Sequence, residues 1–136
     1  MIIVLCNGCF DLFHYGHLLH LQAARKLGQV LIVSVTLDEC VNKGSKRPIF
    51  KLHQRMAVLR ALAIVDDVVS TRSAAEAINK IRPHVYCKGR EYEGRLPEQP
   101  LVESYGGRVV FTDDEVYSST QLIAGGYLQI PSFSSR

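Results

Sequence analysis

Apolar and polar positions follow two different rhythms along this chain. Short continuous apolar runs, the pattern of strands buried on both faces, fall at Ile2–Cys6, Val30–Thr36, Asp67–Ser70, Val85–Cys87 and Arg108–Phe111. Longer stretches with helical apolar spacing lie between and after them, at about His17–Leu27, Leu52–Ala63, Ala74–Ile81, Pro97–Tyr105 and Ser119–Ala124. Strands separated by helices pair in parallel through right-handed crossovers. The pattern therefore predicts an α/β fold: a single Rossmann-like, doubly wound parallel sheet of about five strands with helices on both faces. Gly28 stands where a C-cap glycine would close the first helix, and Pro83 follows the third. Residues 1–124 read as one domain, and 125–136, with a Gly-Gly pair, a proline and several serines, as a tail or linker.

Ligands of such sheets bind beyond the carboxyl ends of the strands. The first apolar run delivers Asn7-Gly8-Cys9-Phe10-Asp11-Leu12-Phe13-His14-Tyr15-Gly16-His17 to that rim. A buried strand, a glycine turn and a helix start gather backbone N–H groups and the positive end of a helix dipole, which together attract an anion, typically phosphate. His14 and His17, three residues apart, share a helix face and can aim imidazole N–H donors at one phosphate. A histidine pair on a helix is commonly structural; the strand and glycine turn in front of this one shift the reading to phosphoryl or nucleotidyl transfer. Neither G-x-G-x-x-G nor the lysine-bearing Walker loop is present, so the usual dinucleotide and P-loop schemes do not apply.

Three further segments reach the same rim. The second strand leads to Thr36-Leu37-Asp38-Glu39 and the loop Lys43-Gly44-Ser45-Lys46-Arg47-Pro48, the fourth to Lys88-Gly89-Arg90-Glu91-Tyr92, and the fifth to Asp113–Thr120. Lys43 and Lys46 can swing onto a triphosphate as mobile cations, and the planar fork of Arg55 suits a bidentate contact with phosphate or carboxylate. Ser118, Ser119 and Thr120 precede an apolar helix, where capping and phosphate binding use the same atoms.

Composition sets limits. A 136-residue chain with 47% hydrophobic residues holds one good core, and a formal charge of +3 is too mild for a nucleic-acid binder. The amino-terminal apolar run, with no basic residue before it, is too short for a signal peptide or a membrane span, so a cytoplasmic protein with no membrane partner is expected. Cys6, Cys9, Cys40 and Cys87 read as thiols in a reducing compartment. Cys6-Asn7-Gly8-Cys9 spells C-x-x-C and could be joined with His14 and His17 in a zinc or redox reading. The spacer is too short for a zinc finger and Cys6 lies within a strand, so no residue is assigned as a metal ligand.

The segment Gly8-Cys9-Phe10-Asp11 followed by His14-Tyr15-Gly16-His17 resembles the G-x-F-D-x-x-H-x-G-H signature of the cytidylyltransferase-like nucleotidyltransferases, and the resemblance runs from about Ile2 to Ile123. Arg47-Pro48-Ile49, Gln54-Arg55-Met56, Leu62–Asp66 and Lys88-Gly89-Arg90-Glu91-Tyr92 look like segments of the heptose-1-phosphate adenylyltransferase domain. The arginine-bearing R-T-x-G-I-S-T motif of the glycerol- and choline-phosphate cytidylyltransferases has no arginine counterpart in Asp113–Thr120. Two departures stand out: Arg90 replaces a glycine, and the acidic run Asp113–Glu115 lies near the expected triphosphate.

The resemblance implies transfer of a nucleoside monophosphate from a triphosphate to a sugar or polyol phosphate with release of pyrophosphate, here from ATP to a heptose-type sugar phosphate. The alternative is a CTP-dependent cytidylyltransferase for glycerol 3-phosphate or a related polyol phosphate; a nucleotide-binding regulatory module is a more remote one. It implies His14, His17 and Lys46 as catalytic groups and Mg2+ as cofactor. Nucleotide contacts are implied for Gly8, Cys9, Phe10, Asp11, Gly16, Lys43, Arg55, Lys88, Gly89, Glu91, Ser118, Ser119 and Thr120. A homodimer, and fusion to or cooperation with a sugar kinase, are implied as well.

Overall fold

In the computed structural model, which describes residues 1–113, five strands and four helices alternate. The strands are β1 (Ile3–Gly8), β2 (Val30–Thr36), β3 (Asp67–Thr71), β4 (Val85–Gly89) and β5 (Arg108–Thr112); the helices are α1 (Tyr15–Arg25), α2 (Leu52–Arg60), α3 (Ala74–Ile81) and α4 (Gln99–Ser104). All neighbouring strands are parallel, in the order β3-β2-β1-β4-β5. The order reverses between β1 and β4, and that is the switch point at which a parallel sheet opens a crevice for ligands.

Strand side chains alternate between two apolar layers. Val4 and Cys6 of β1, Leu31, Val33 and Val35 of β2, and Val85 and Cys87 of β4 pack with Leu21 and Ala24 of α1 and Met56 and Leu59 of α2. Leu5 and Tyr86, one residue out of phase, face Ala77 and Ile78 of α3, Val102 of α4 and Leu96. Both faces of the sheet are thus covered, and this is why its strands are apolar throughout rather than alternating.

Several helix ends depart from the sequence pattern; α4, for one, spans Gln99–Ser104 rather than Pro97–Tyr105. Helix α1 starts earlier than the apolar spacing suggests because His14 takes the N-cap in extended backbone and its side chain accepts from the Gly16 N–H. The helix closes through an ordinary right-handed cap at Lys26, so Gly28 is not a left-handed C-cap. Its reason is proximity: a Cβ at position 28 would lie 2.6 Å from the Ile2 carbonyl oxygen and 2.9 Å from Val4 Cγ2. Helix α2 stops at Arg60 instead of Ala63, and the chain turns through Leu62 and Val65 so that Asp66 can receive the Leu31 N–H at 2.8 Å. Among the described residues no helix is long and apolar enough to cross a membrane.

Candidate active site

The last ladder residues of β1 are Asn7 and Gly8, paired with Ser34 and Val35 of β2. Ser34 Oγ donates to Asn7 Oδ1 at 2.6 Å, which ties the mouth of the crevice across two strands. Beyond Gly8 the chain makes a tight turn in which Phe10 and Leu12 both take left-handed backbone, each at φ 51°. Non-glycine residues in that region cost about 1–3 kcal/mol each and persist only where surrounding contacts over-determine them. Gly8 makes room for the turn, because a Cβ there would sit 3.0 Å from the Phe10 ring. That ring in turn packs against His17, with centroids 5.4 Å apart.

Asp11, between the two left-handed residues, supplies the over-determination. Its carboxylate is fully buried and accepts from the Ile49 N–H at 2.7 Å, the Phe50 N–H at 3.0 Å and Arg47 Nε at 2.9 Å. Burial on its own would raise the Asp11 pKa; the backbone donors of Phe50 and Ile49 and the Arg47 guanidinium outweigh it and hold the pKa below the ordinary carboxylate value. Asp11 therefore fastens the Lys43–Phe50 loop to the turn.

Arg55 is likewise committed within the protein. It is 2% exposed and gives Nε to the Phe50 carbonyl at 3.0 Å, Nη1 to the Cys9 carbonyl at 2.8 Å and Nη2 to Asp38 Oδ1 at 2.6 Å. Its fork meets a carboxylate, as residue type suggested, but an internal one. It locks the β1 turn, the end of β2 and the basic loop together.

These two clamps position the histidine pair. His14 Nδ1 accepts from the Gly16 N–H at 3.1 Å and His17 Nδ1 accepts from the His14 N–H at 3.2 Å, a reciprocal capping box built from two imidazoles. The rings stack at 3.9 Å between centroids with 28° between their planes. Each Nδ1 is an acceptor, so each neutral ring carries its proton on Nε2 and offers an N–H donor there. Burial, then the charges of His14, Lys43 and His20, push the His17 pKa down to about 3, and burial together with Lys43 lowers that of His14. The pair is thus neutral and donating across the physiological range. Gly16, buried in the first turn of α1, presents its backbone to the cap.

Of the two loop lysines, Lys43 lies within electrostatic reach of both histidines, while Lys46 stands exposed on the same loop. From the far side of the switch point, Lys88 donates from Nζ to the Asn7 carbonyl at 3.3 Å and sits 4.4 Å from the centre of the Tyr92 ring. Burial lowers its pKa, against the opposing pull of Cys6, Glu98, Glu91 and Cys87. Gly89 leaves space for the Glu91 carboxylate, which folds back over it. Arg90 pairs with Asp113 at 2.8 Å, so the first residue of the acidic run is drawn to the β4 end and its charge is matched. Ser118, Ser119 and Thr120, with the helix expected at Ser119–Ala124 and the tail at 125–136, lie outside the described residues.

Read along the chain, Arg47, Asp38 and Asn7 carried no assigned role, although all three hold the site in shape. The available signal was position alone, since each follows or ends a strand at the carboxyl rim. Of the Cys6-x-x-Cys9 pair, Cys6 is buried in the layer between the sheet and α1 and α2, Cys9 Sγ lies 3.8 Å from Arg55 Nη1, and neither is in a disulfide.

A strand, a turn of two left-handed residues and two imidazoles that carry their protons on Nε2 meet at the start of α1. The cytidylyltransferase-like family profile matches residues 5–124. The chain belongs to this family. It is therefore a nucleotidyltransferase. It is 40% identical over 129 residues to the D-beta-D-heptose 1-phosphate adenylyltransferase of Bordetella bronchiseptica, covering 90% of this chain and 80% of that protein. It is 42% identical over 130 residues to the bifunctional protein HldE of Desulfatibacillum aliphaticivorans, of which it spans only 26%. Among solved structures it resembles the lipopolysaccharide core biosynthesis protein of Thermoplasma volcanium, with a TM-score of 0.70 and 28% identity over 87% of this chain and 99% of the other. The pantoate-beta-alanine ligase of Francisella tularensis, at 13% identity and a TM-score of 0.63 over 93% of this chain and 69% of its own, shares the fold.

Proposed function

We propose that this cytidylyltransferase-like chain transfers AMP from ATP to a heptose-type sugar 1-phosphate. The histidine pair carries the reading: two imidazoles at the β1–α1 turn are each locked by a backbone N–H into the tautomer that donates from Nε2, which supports their assignment as donors to the α-phosphate. Identity to the Bordetella bronchiseptica enzyme supports the choice of nucleotide and sugar.

In the proposed reaction an oxygen of the sugar phosphate bonds to the α-phosphorus of ATP, the bond from that phosphorus to the bridging oxygen of the β-phosphate breaks, and pyrophosphate leaves. The attacking oxygen is anionic near neutral pH, so the protein need not remove a proton; its work is alignment and charge stabilisation. His14 and His17 donate to the α-phosphate, Lys43 and Lys46 meet the β- and γ-phosphates from the loop, and Lys88 closes the crevice from β4. Backbone N–H groups near Gly8, Cys9 and Phe10 approach the phosphates, and the same role is proposed for the backbone at Gly89 and for Ser118, Ser119 and Thr120. Magnesium supplies charge neutralisation on the triphosphate oxygens. The carboxylate of Asp11, near His17, is already held by three N–H donors, and the ion would be held chiefly through the triphosphate it neutralises. A homodimer and cooperation with a sugar kinase are part of the proposal, the latter supported by relatives called bifunctional that are much longer than this chain.

Pyrophosphate release, measured with ATP and CTP against a panel of sugar and polyol phosphates, tests the reading. ATP with a heptose 1-phosphate is expected to exceed CTP at least about tenfold in kcat/KM, or about 1.4 kcal/mol. A preference for CTP with glycerol 3-phosphate would overturn it in favour of the cytidylyltransferase alternative.

A further inference from the structure

The capping histidines leave a third histidine of α1 unused. His20, one turn beyond His17, lies over the switch point where Cys6 of β1 and Cys87 of β4 stand directly opposite each other in the ladder. Both cysteines are 0% exposed and neither is in a disulfide. One donor atom from each of Cys6, His20 and Cys87 falls within 4.8 Å of the others. We propose that these three side chains form a binding site for a thiophilic divalent cation, zinc by chemical class, beneath the histidine pair.

Three features point the same way. The donors are two sulfurs and an imidazole, the set that selects zinc over magnesium. Zinc bonds of about 2.3 Å to sulfur and 2.0 Å to nitrogen place tetrahedral ligand atoms roughly 3.5–3.8 Å apart, so binding requires an inward movement of no more than about 1 Å at a side-chain tip. Two thiolates balance one divalent cation, and the filled site is neutral, as an apolar core demands.

The partner of His20 completes the geometry. Its Nδ1 is 3.0 Å from Thr112 Oγ1 on β5. When that hydroxyl accepts from Nδ1–H, the neutral ring presents Nε2 as its lone-pair nitrogen, the usual arrangement in which an outer hydrogen bond fixes a metal-ligating histidine. Three protein ligands leave a fourth position for water or an exogenous ligand. A cation here would join β1, β4 and α1 at one point and hold the start of α1, hence the histidine pair, against the sheet. It would be distinct in site and in chemistry from the magnesium carried by the triphosphate.

Zinc content of the full chain, purified with zinc present and then dialysed, decides the matter together with cobalt titration of the metal-free protein. The expected result is one zinc per chain and, with cobalt, a thiolate-to-metal charge-transfer band that saturates at one equivalent. Cys87→Ser and His20→Gln should each weaken binding by at least about tenfold, whereas Cys9→Ser, Cys40→Ser and the double variant His14→Ala/His17→Ala should bind as the parent does. If a ligand variant fails to fold, the parent's stoichiometry and charge-transfer band still decide. Sub-stoichiometric zinc with no charge-transfer band overturns the proposal, as does undiminished binding in Cys87→Ser and His20→Gln. Binding lost in Cys9→Ser would assign the metal to the Cys6-x-x-Cys9 pair and would overturn it equally.

Discussion

Asp11→Asn is the substitution that most sharply separates a structural carboxylate from a ligand-binding one. The native carboxylate accepts from two backbone N–H groups and from Arg47 Nε, and it is shielded from water. Asparagine keeps one acceptor oxygen and puts an NH2 donor where the other stood, facing a backbone N–H that can only donate. The Arg47 guanidinium, 10% exposed at its side chain, loses its counter-charge at the same time. Removing one partner of a buried ion pair costs about 3–5 kcal/mol, a large share of the roughly 5–15 kcal/mol that holds a domain together. For a chain of this size that is a fall in Tm of roughly 10–15 °C.

The functional consequence follows from the stability loss. Freed from Asp11, the loop from Lys43 to Phe50 is no longer fixed to the turn, so KM for the nucleoside triphosphate should rise at a temperature where the variant is still folded. Arg47→Met should cost less than Asp11→Asn, because the Ile49 and Phe50 N–H groups keep their acceptor. Urea unfolding of the three proteins, with kinetics at a temperature below all transitions, is the assay. If Asp11→Asn shifts stability by less than about 0.5 kcal/mol while raising KM, Asp11 is a nucleotide ligand and the clamp reading is wrong.

Three other outcomes are expected. His14→Ala and His17→Ala should each lower kcat by about a hundredfold or more through loss of a preorganised donor, and His14→Ala should also cost about 1 kcal/mol as a lost cap; near-normal turnover in either would remove the proposed role. Because the folded pKa of His17, about 3, lies below the unfolded value of 6.5, the unfolded chain binds the extra proton between those limits, so stability falls as pH drops below 6.5. The loss is about 2 kcal/mol at pH 5, and a pH 7 to pH 5 difference in urea midpoint unchanged by His17→Gln would refute it. Tyr86 is fully buried, its hydroxyl has no hydrogen-bond partner among the described residues, and burial raises its pKa, so Tyr86→Phe should leave stability unchanged or increase it by about 1–2 kcal/mol; a loss in calorimetry of similar size would expose a missed partner.

The sheet was legible because its strands are buried on both faces and therefore read as unbroken apolar runs. Val30–Thr36 and Ala74–Ile81 match the pattern residue for residue. Strands β1 and β4 run two residues beyond it, through Asn7-Gly8 and Lys88-Gly89. Their ladders continue where hydrophobicity stops, since hydrogen bonding needs only backbone whereas the apolar pattern needs a core to face. Those extra residues are the ones at the switch point. In a doubly wound sheet ligands bind beyond the carboxyl ends of the strands, so the shortfall in predicted strand length falls at the candidate site.

Within the site, residue type identified which groups carry charge but not whom they serve. Asp11, His14 and His17 were singled out from a signature and Arg55 from its planar fork, and all four lie around the one turn. Two of them, however, spend their charge on the protein. Arg55 and Asp11 are a buried cation and a buried anion, and burial obliges each to satisfy its donors or acceptors locally. A linear sequence cannot show burial of a polar side chain, because the residues that enclose it, here Cys9, Asp38, Ile49 and Phe50, arrive from separate segments. The histidines escape that obligation in part. Each gives one nitrogen to the backbone and keeps the other as a donor, and an imidazole, unlike a carboxylate or a guanidinium, can do so without charge. The candidate site thus has two neutral histidines at its centre, while the buried charges of Asp11 and Arg55 hold its frame.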